Sequence, residues 1–329
     1  MIKNKDVVTA LLRAEEPWVR YNTLRYLCNK SVNSSECRTV RDECTSHPLV
    51  KRLLNTALQW PDPPLKSHKT ASHPIHHLAL LAELGVSARH PDIQTIIDRI
   101  IKHQHAAGAL QSVVTLPSMW GGSNTAEWLW MFCDTPVLLH ACLSLGCKER
   151  HPAIRHAVSH LHAAVTQKRW VCFSSLEKLR GPGRKTDPCP YATLLALKAF
   201  SLVPSQIDTR LLQQGTAVLL DHWGNRKTAK LRMFGIGTDF RKLKYPFVFY
   251  DILHAAEVLS RFPWVWKDTR FAEMIACITA KRNCDGFYTP ESVWMAFRGF
   301  DFAQKKAPSP MLTFIIERML RRKPDTNKS

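Results

Sequence analysis

Stretches that are apolar nearly all round alternate along this chain with two-faced ones, and the apolar stretches keep one phase. Each of Pro17, Pro74, Pro136, Pro190, Pro246 and Pro310 precedes 10 to 16 mostly apolar residues at helical spacing. The six prolines are separated by 57, 62, 54, 56 and 64 residues. Proline suits the first position of a helix, where the amide hydrogen it lacks would have had no partner. The pattern therefore predicts apolar helices starting near 17, 74, 136, 190, 246 and 310. Second start signals follow at His47-Pro48, His90-Pro91, His151-Pro152, Asp208-Thr209 and Asp268-Thr269, each opening a more polar, amphipathic helix. Long loops close several units, as at Gln104…Gly108, Gln167…Trp170 and Asp285-Gly286-Phe287.

A helix apolar on every side must be buried, and a two-faced helix can cover it. Recurrence at a fixed period marks an internal repeat. The expected fold is all-α, an α/α toroid of six helical hairpins with apolar helices inside and amphipathic helices outside. One domain of six repeats of about 57 residues would span 1–322, with 323–329 as a loose tail. An open superhelix of HEAT type is the other way to stack helix pairs. No run of eighteen apolar residues exists, so no membrane span is expected. The N-terminus Met-Ile-Lys-Asn-Lys-Asp-Val-Val lacks an apolar signal core. Ten cysteines without a close CxxC pair read as reduced thiols, which points to the cytoplasm. No nucleotide or organic-cofactor motif is present.

Charge narrows the partners. Lys and Arg number 46 against 27 Asp and Glu, a formal net charge of +19, which calls for an anionic partner. Much of the excess falls just ahead of the apolar helices: Lys66, His68 and Lys69; Arg180, Arg184 and Lys185; Arg241, Lys242 and Lys244; Lys305 and Lys306. In a toroid these loops share one end, giving a cationic rim over an apolar bore. A nucleic-acid reader would instead spread its charge and interleave exposed aromatics. Taken singly, each loop reads as a solvated one. His68, His73, His76 and His77 crowd the second mouth. His73 and His77 share a helix face, a spacing that can bind metal, but no thiol or carboxylate neighbours them in sequence. They read as rim residues sharing anion binding with Lys69. Asp239, ahead of Arg241, reads as the partner of a neighbouring basic residue.

Chemistry concentrates in Leu179-Arg-Gly-Pro-Gly-Arg-Lys-Thr-Asp-Pro-Cys-Pro-Tyr191. Asp187 and Cys189 stand two apart at the mouth of an apolar helix. One repeat later Phe249-Tyr-Asp-Ile-Leu-His254 places Asp251 and His254 one turn apart. A thiolate, a carboxylate and an imidazole or second carboxylate would make a three-ligand zinc site with an open fourth position. The plainer reading makes Asp187 a helix N-cap, Cys189 a small core residue and His254 a hydrogen-bonded core histidine.

The run Gly183-Arg-Lys-Thr-Asp-Pro-Cys-Pro-Tyr191 resembles the segment of protein prenyltransferase β subunits in which basic residues precede Asp-x-Cys. In that family the basic residues bind diphosphate and the Asp and Cys bind zinc. The third ligand there is a histidine after Phe-Tyr; Phe249-Tyr250 matches, and Asp251 stands where the histidine would be. Asp251 would ligate, His254 would substitute from one turn deeper, or the metal has been lost. The six-hairpin repeat is similar to that family and to the squalene and terpenoid cyclases, as in a divergent, prokaryotic-type single-chain member. The cyclases' Asp-x-Asp-Asp is absent, which disfavours protonation-driven cyclisation.

The resemblance implies transfer of a prenyl-type group from an apolar-tailed diphosphate, assisted by zinc. Arg180, Arg184 and Lys185 would neutralise the departing diphosphate, and Tyr191 would donate its hydroxyl. Lys69, His73, Arg241, Lys242 and Lys244 would complete the anion site. Leu138, Leu139, Leu194, Leu195, Phe247 and Phe249 would sheath the tail. The alternatives are a non-catalytic toroid that binds such a ligand or a protein partner at its basic mouth, and, less favoured, a nucleic-acid-binding helical repeat.

Overall fold

The computed structural model describes residues 4–179, 186–228 and 234–324. Arg180, Arg184 and Lys185 lie outside them, as do residues 325–329 of the expected tail. The described residues form thirteen α-helices and one two-stranded antiparallel sheet. In order they are α1 (Asn4–Leu12), α2 (Pro17–Asn22), α3 (Ser35–Ser46), α4 (Pro48–Ala57), α5 (Pro74–Glu83), α6 (Pro91–Lys102), β1 (Ser112–Thr115) and β2 (Ala126–Leu129). There follow α7 (Thr135–Leu145), α8 (Pro152–Lys168), α9 (Pro190–Phe200), α10 (Thr209–Gly224), α11 (Ile252–Leu259), α12 (Thr269–Thr279) and α13 (Pro310–Leu320).

The proline phase holds with one exception. Pro17, Pro74, Pro190 and Pro310 are the first residues of their helices, and Pro136 is the second residue of α7. Pro246 instead precedes a non-helical stretch, and α11 begins at Ile252. Residues 246–250 are Pro-Phe-Val-Phe-Tyr, aromatic and β-branched side chains that lose rotamer freedom in a helix. Asp251 then supplies the cap, its side chain accepting from the His254 N–H at 2.9 Å. All five secondary start signals open helices: α4, α6, α8, α10 and α12. Asp208 and Asp268 cap theirs by accepting from Arg210 N and Arg270 N.

Burial follows the apolar and two-faced alternation. Every residue of α9 and of α11 is buried, whereas α6 buries a single stripe, Ile93, Ile96, Ile97 and Ile100. The chain divides into two compact units. One comprises residues 1–52, 83–86 and 237–329, and the other 53–82 and 87–236. In the first unit α2 packs on α3 and on α13, and α11 packs on α12 and α13. Glu257 of α11, wholly buried, is held there by Arg261 (3.0 Å), Arg318 (3.2 Å) and Arg322 (2.9 Å). In the second unit α7 packs on α6, α8 and α9, and α9 packs on α10. The turn after α8 is fixed by its packing. Arg169 and Trp170 both take left-handed backbone (φ 50° and 66°), an uncommon choice for non-glycine residues. The buried Trp170 ring fills the space left by the missing side chain of Gly215 on α10, where a Cβ would sit 2.6 Å from the ring.

Candidate metal centre

Four non-helical segments of the second unit meet ahead of α5, α7 and α9. The loop carrying His68 is anchored by Leu65, which pairs with Val114 of β1 through Leu65 N to Val113 O at 2.8 Å and Thr115 N to Leu65 O at 3.3 Å. The segment carrying Cys133 and Asp134 pairs with the segment after α8 through Met131 and Ser174, with Phe132 N donating to Phe173 O at 3.0 Å. The segment after α8 pairs in turn with the residues ahead of α9, through Val171 and Pro188 and a 2.9 Å bond from Cys189 N to Trp170 O.

Among the described residues, one group of three is placed to hold a metal ion: His68, Cys133 and Asp134. One ligand atom from each lies within 4.8 Å of the other two. His68 Nε2 pairs with Asp134 Oδ1, and the His68 ring also meets the Cys133 thiol. Asp134 is completely buried, and His68 and Cys133 are half-buried at its edge. Burial works against a charged His68 imidazole, but Cys133 and Asp134 outweigh it and hold its pKa well above the ordinary value. Burial pushes the Cys133 thiol up. Asp134 directly precedes α7 yet makes no side-chain cap bond to it, and its Oδ2, buried, has no hydrogen-bond partner. A buried carboxylate oxygen left this way is costly in a protein alone and is suited to a cation. The donor set fits a divalent metal.

The predicted site residues divide between the units. Cys189 is buried one residue ahead of α9 and makes no side-chain cap hydrogen bond to it. It takes the N-cap position that the plainer reading gave to Asp187. The Cys172 thiol donates to the Cys189 sulfur; this holds Cys189 below its ordinary pKa and pushes Cys172 up. Cys189 lies near His68 and Cys133 electrostatically but is not one of the three converging donors. Tyr191 is buried edge-on to His68, with centroids 5.8 Å apart, and stacks on Phe234 at 6.0 Å. Burial, together with the charge of Cys133, Asp134 and Cys189, raises its phenol well above the usual value. Lys69 is exposed. His73 is buried, with Nδ1 accepting from Ile75 N at 3.2 Å at the start of α5 and Nε2 3.0 Å from Pro63 O in the preceding loop, so both ring nitrogens are engaged.

Asp251 and His254 belong to the first unit. Burial raises the Asp251 carboxyl to about 7, opposed by the His254 N–H and the Lys244 charge. His254 is buried, with Nδ1 2.9 Å from Phe249 O and its ring stacked on Phe247 at 4.7 Å. Asp239 pairs with Lys242 (3.4 Å) and Lys244 (3.8 Å). Arg241 donates to Gly237 O at 3.4 Å, and the Lys244 ammonium sits over the Trp294 ring at 4.6 Å.

The histidine-rich stretch lacked a thiol and a carboxylate in its own sequence, and Cys133-Asp134 ahead of α7 supplies both. The available signal was phase: Cys133-Asp134 precedes Pro136 much as Asp187-x-Cys189 precedes Pro190. No protein-family model matches the chain, and no curated protein matches it. A crystal structure of a protein from Actinoplanes is similar over 96% of this chain and 88% of that one, at 13% identity and a TM-score of 0.39.

Proposed function

We propose that this protein is a zinc protein, with the ion held by His68, Cys133 and Asp134, that acts on an anionic, apolar-tailed substrate by transferring a group from a diphosphate. The observation that supports the metal is the buried, unpartnered Oδ2 of Asp134 beside an imidazole and a thiol. These are ligand types that zinc takes, and three protein ligands leave a fourth position for a substrate atom. Zinc bound there would supply Lewis acidity and keep a coordinated thiol ionised. The chain's own residues would do the rest. Tyr191, its phenol kept protonated by burial, has an O–H to donate to a developing anion. Lys69 adds exposed positive charge in the His68 loop. Arg180, Arg184 and Lys185, just ahead of Asp187-Pro188-Cys189 in sequence, are assigned to the diphosphate. Leu138, Leu139, Leu194 and Leu195 are the apolar side chains assigned to the tail.

Zinc content tests the reading. Protein purified with zinc present should carry one equivalent per chain, lost in Cys133→Ser. Less than about a tenth of an equivalent in the wild type would end it, since a specific site retains its ion through purification. If zinc is present but the loaded protein neither binds inorganic pyrophosphate nor turns over an isoprenoid diphosphate, the substrate half fails while the metal half stands.

A further inference from the structure

Cys172 and Cys189 form a thiol pair that the metal reading does not use. Their approach is a product of backbone pairing. Val171 and Pro188 pair as antiparallel neighbours, and side chains alternate faces along each strand. Cys172 and Cys189 each follow a member of that bridged pair and therefore share the face opposite Val171 and Pro188. Cys172 and Cys189 are diagonal neighbours on it, a relation within reach of side-chain contact, and their thiols meet. Cys189 stands at the N-cap of an eleven-residue helix, its thiol beside that of Cys172. Cys172 is half-buried, so the pair has an edge toward solvent.

We propose that Cys172 and Cys189 are a redox-active dithiol that a hydroperoxide converts to a disulfide. The Cys189 thiolate attacks the peroxide; an S–O bond forms, the O–O bond breaks, and the departing oxygen leaves as water. The Cys172 sulfur then displaces the sulfenic oxygen, forming S–S and breaking S–O, and its proton leaves with that oxygen as a second water. In sum, two thiols and one hydrogen peroxide give one disulfide and two waters. Two cysteines are oxidised by two electrons in all, and the peroxide takes them. The bond would close residues 173–188, a stretch of sixteen residues, at its base.

Peptide mapping tests the pair. The full chain, both metal-free and zinc-loaded, is treated with a small excess of hydrogen peroxide. Free thiols are alkylated and the protein is digested with trypsin without reduction. Cleavage after Lys and Arg leaves Cys172 in peptide 170–178 and Cys189 in peptide 186–198, each with a single cysteine. The expected dominant product in the metal-free protein is these two peptides linked, lighter by two hydrogens than their sum and released by reduction. It should be lost in Cys172→Ser and in Cys189→Ser. Suppression of the link by zinc leaves the proposal standing. A Cys133–Cys189 link as the main product, or Cys189 recovered chiefly as sulfinic acid, overturns it. The wild-type map alone decides, so a variant that fails to fold does not obscure the answer. The outcome is also independent of zinc content: a protein that binds no zinc but forms the link fails the metal reading and supports this one.

Discussion

Asp134 and Asp251 hold the same station in the two units: each is a buried aspartate directly ahead of an apolar helix, α7 for one and α11 for the other. Asp251 spends an oxygen on its own helix, accepting from His254 N. Asp134 makes no such bond and turns its carboxylate to His68, in the loop ahead of α5. One aspartate thus finishes a helix, and the other joins a group of side chains drawn from separate loops. A sequence position that reads as a cap becomes a site only when neighbouring loops bring other donors to it. In the first unit Asp251 and His254 gather no third donor among the described residues.

Removing ligands should separate the two aspartates most sharply. The double variant His68→Ala/Cys133→Ser is expected to weaken zinc binding at least about a thousandfold, roughly 4 kcal/mol. Asp134→Ala, which removes one ligand of the three, should weaken it less than the double variant does. Competition titration against a chromogenic chelator measures both, and unchanged affinity in the double variant would erase the contrast.

The next effect is a pH dependence confined to Asp251. Its carboxyl titrates near 7 in the folded chain against an ordinary value of 3.8, so the native state binds this proton more tightly than the unfolded state. Its contribution to stability is complete below about pH 4, declines as pH rises through about 7, and is gone above. Asp251→Asn should flatten that part of the stability profile, a change on the order of 4 kcal/mol across the window. Urea melts at successive pH values provide the readout, and a variant profile parallel to wild type would refute the assignment.

Two smaller effects probe the frames around each site. Gly215→Ala pushes a methyl into the Trp170 ring and should cost about 2 kcal/mol by overpacking, with a weaker Cys172–Cys189 link. Asp251→Ala should fall about 1 kcal/mol below Asp251→Asn, the worth of the cap that asparagine retains. Neither Asp251 variant should alter zinc affinity.

The helices were legible because burial and cover leave a periodic trace. Proline marked the starts of five apolar helices to within a residue, and the five secondary signals all opened helices. Pro246 misled because the aromatic residues after it favour extended chain, and because Asp251 offered a cap further on. The site was legible in place but not in membership. Phase put the chemistry ahead of the apolar helices, where His68, Cys133, Asp134 and Cys189 all lie. Which donors meet depends on pairings such as Leu65 with Val114 and Met131 with Ser174, side-to-side contacts between irregular segments that have no spacing rule. Asp134 was hidden by resembling an ordinary cap.

The packing of α2 on α13 has a consequence for how the chain is made. The two helices begin at Pro17 and Pro310, and Tyr26 and Phe314 approach to 6.3 Å between ring centroids. All of residues 53–236 leaves the ribosome between them. At about 5–20 residues per second the intervening 293 residues take roughly 15 to 60 s. For that interval the side of α2 that meets α13 waits for a partner not yet synthesised. A helix made early in this chain thus completes its packing only once α13 has emerged.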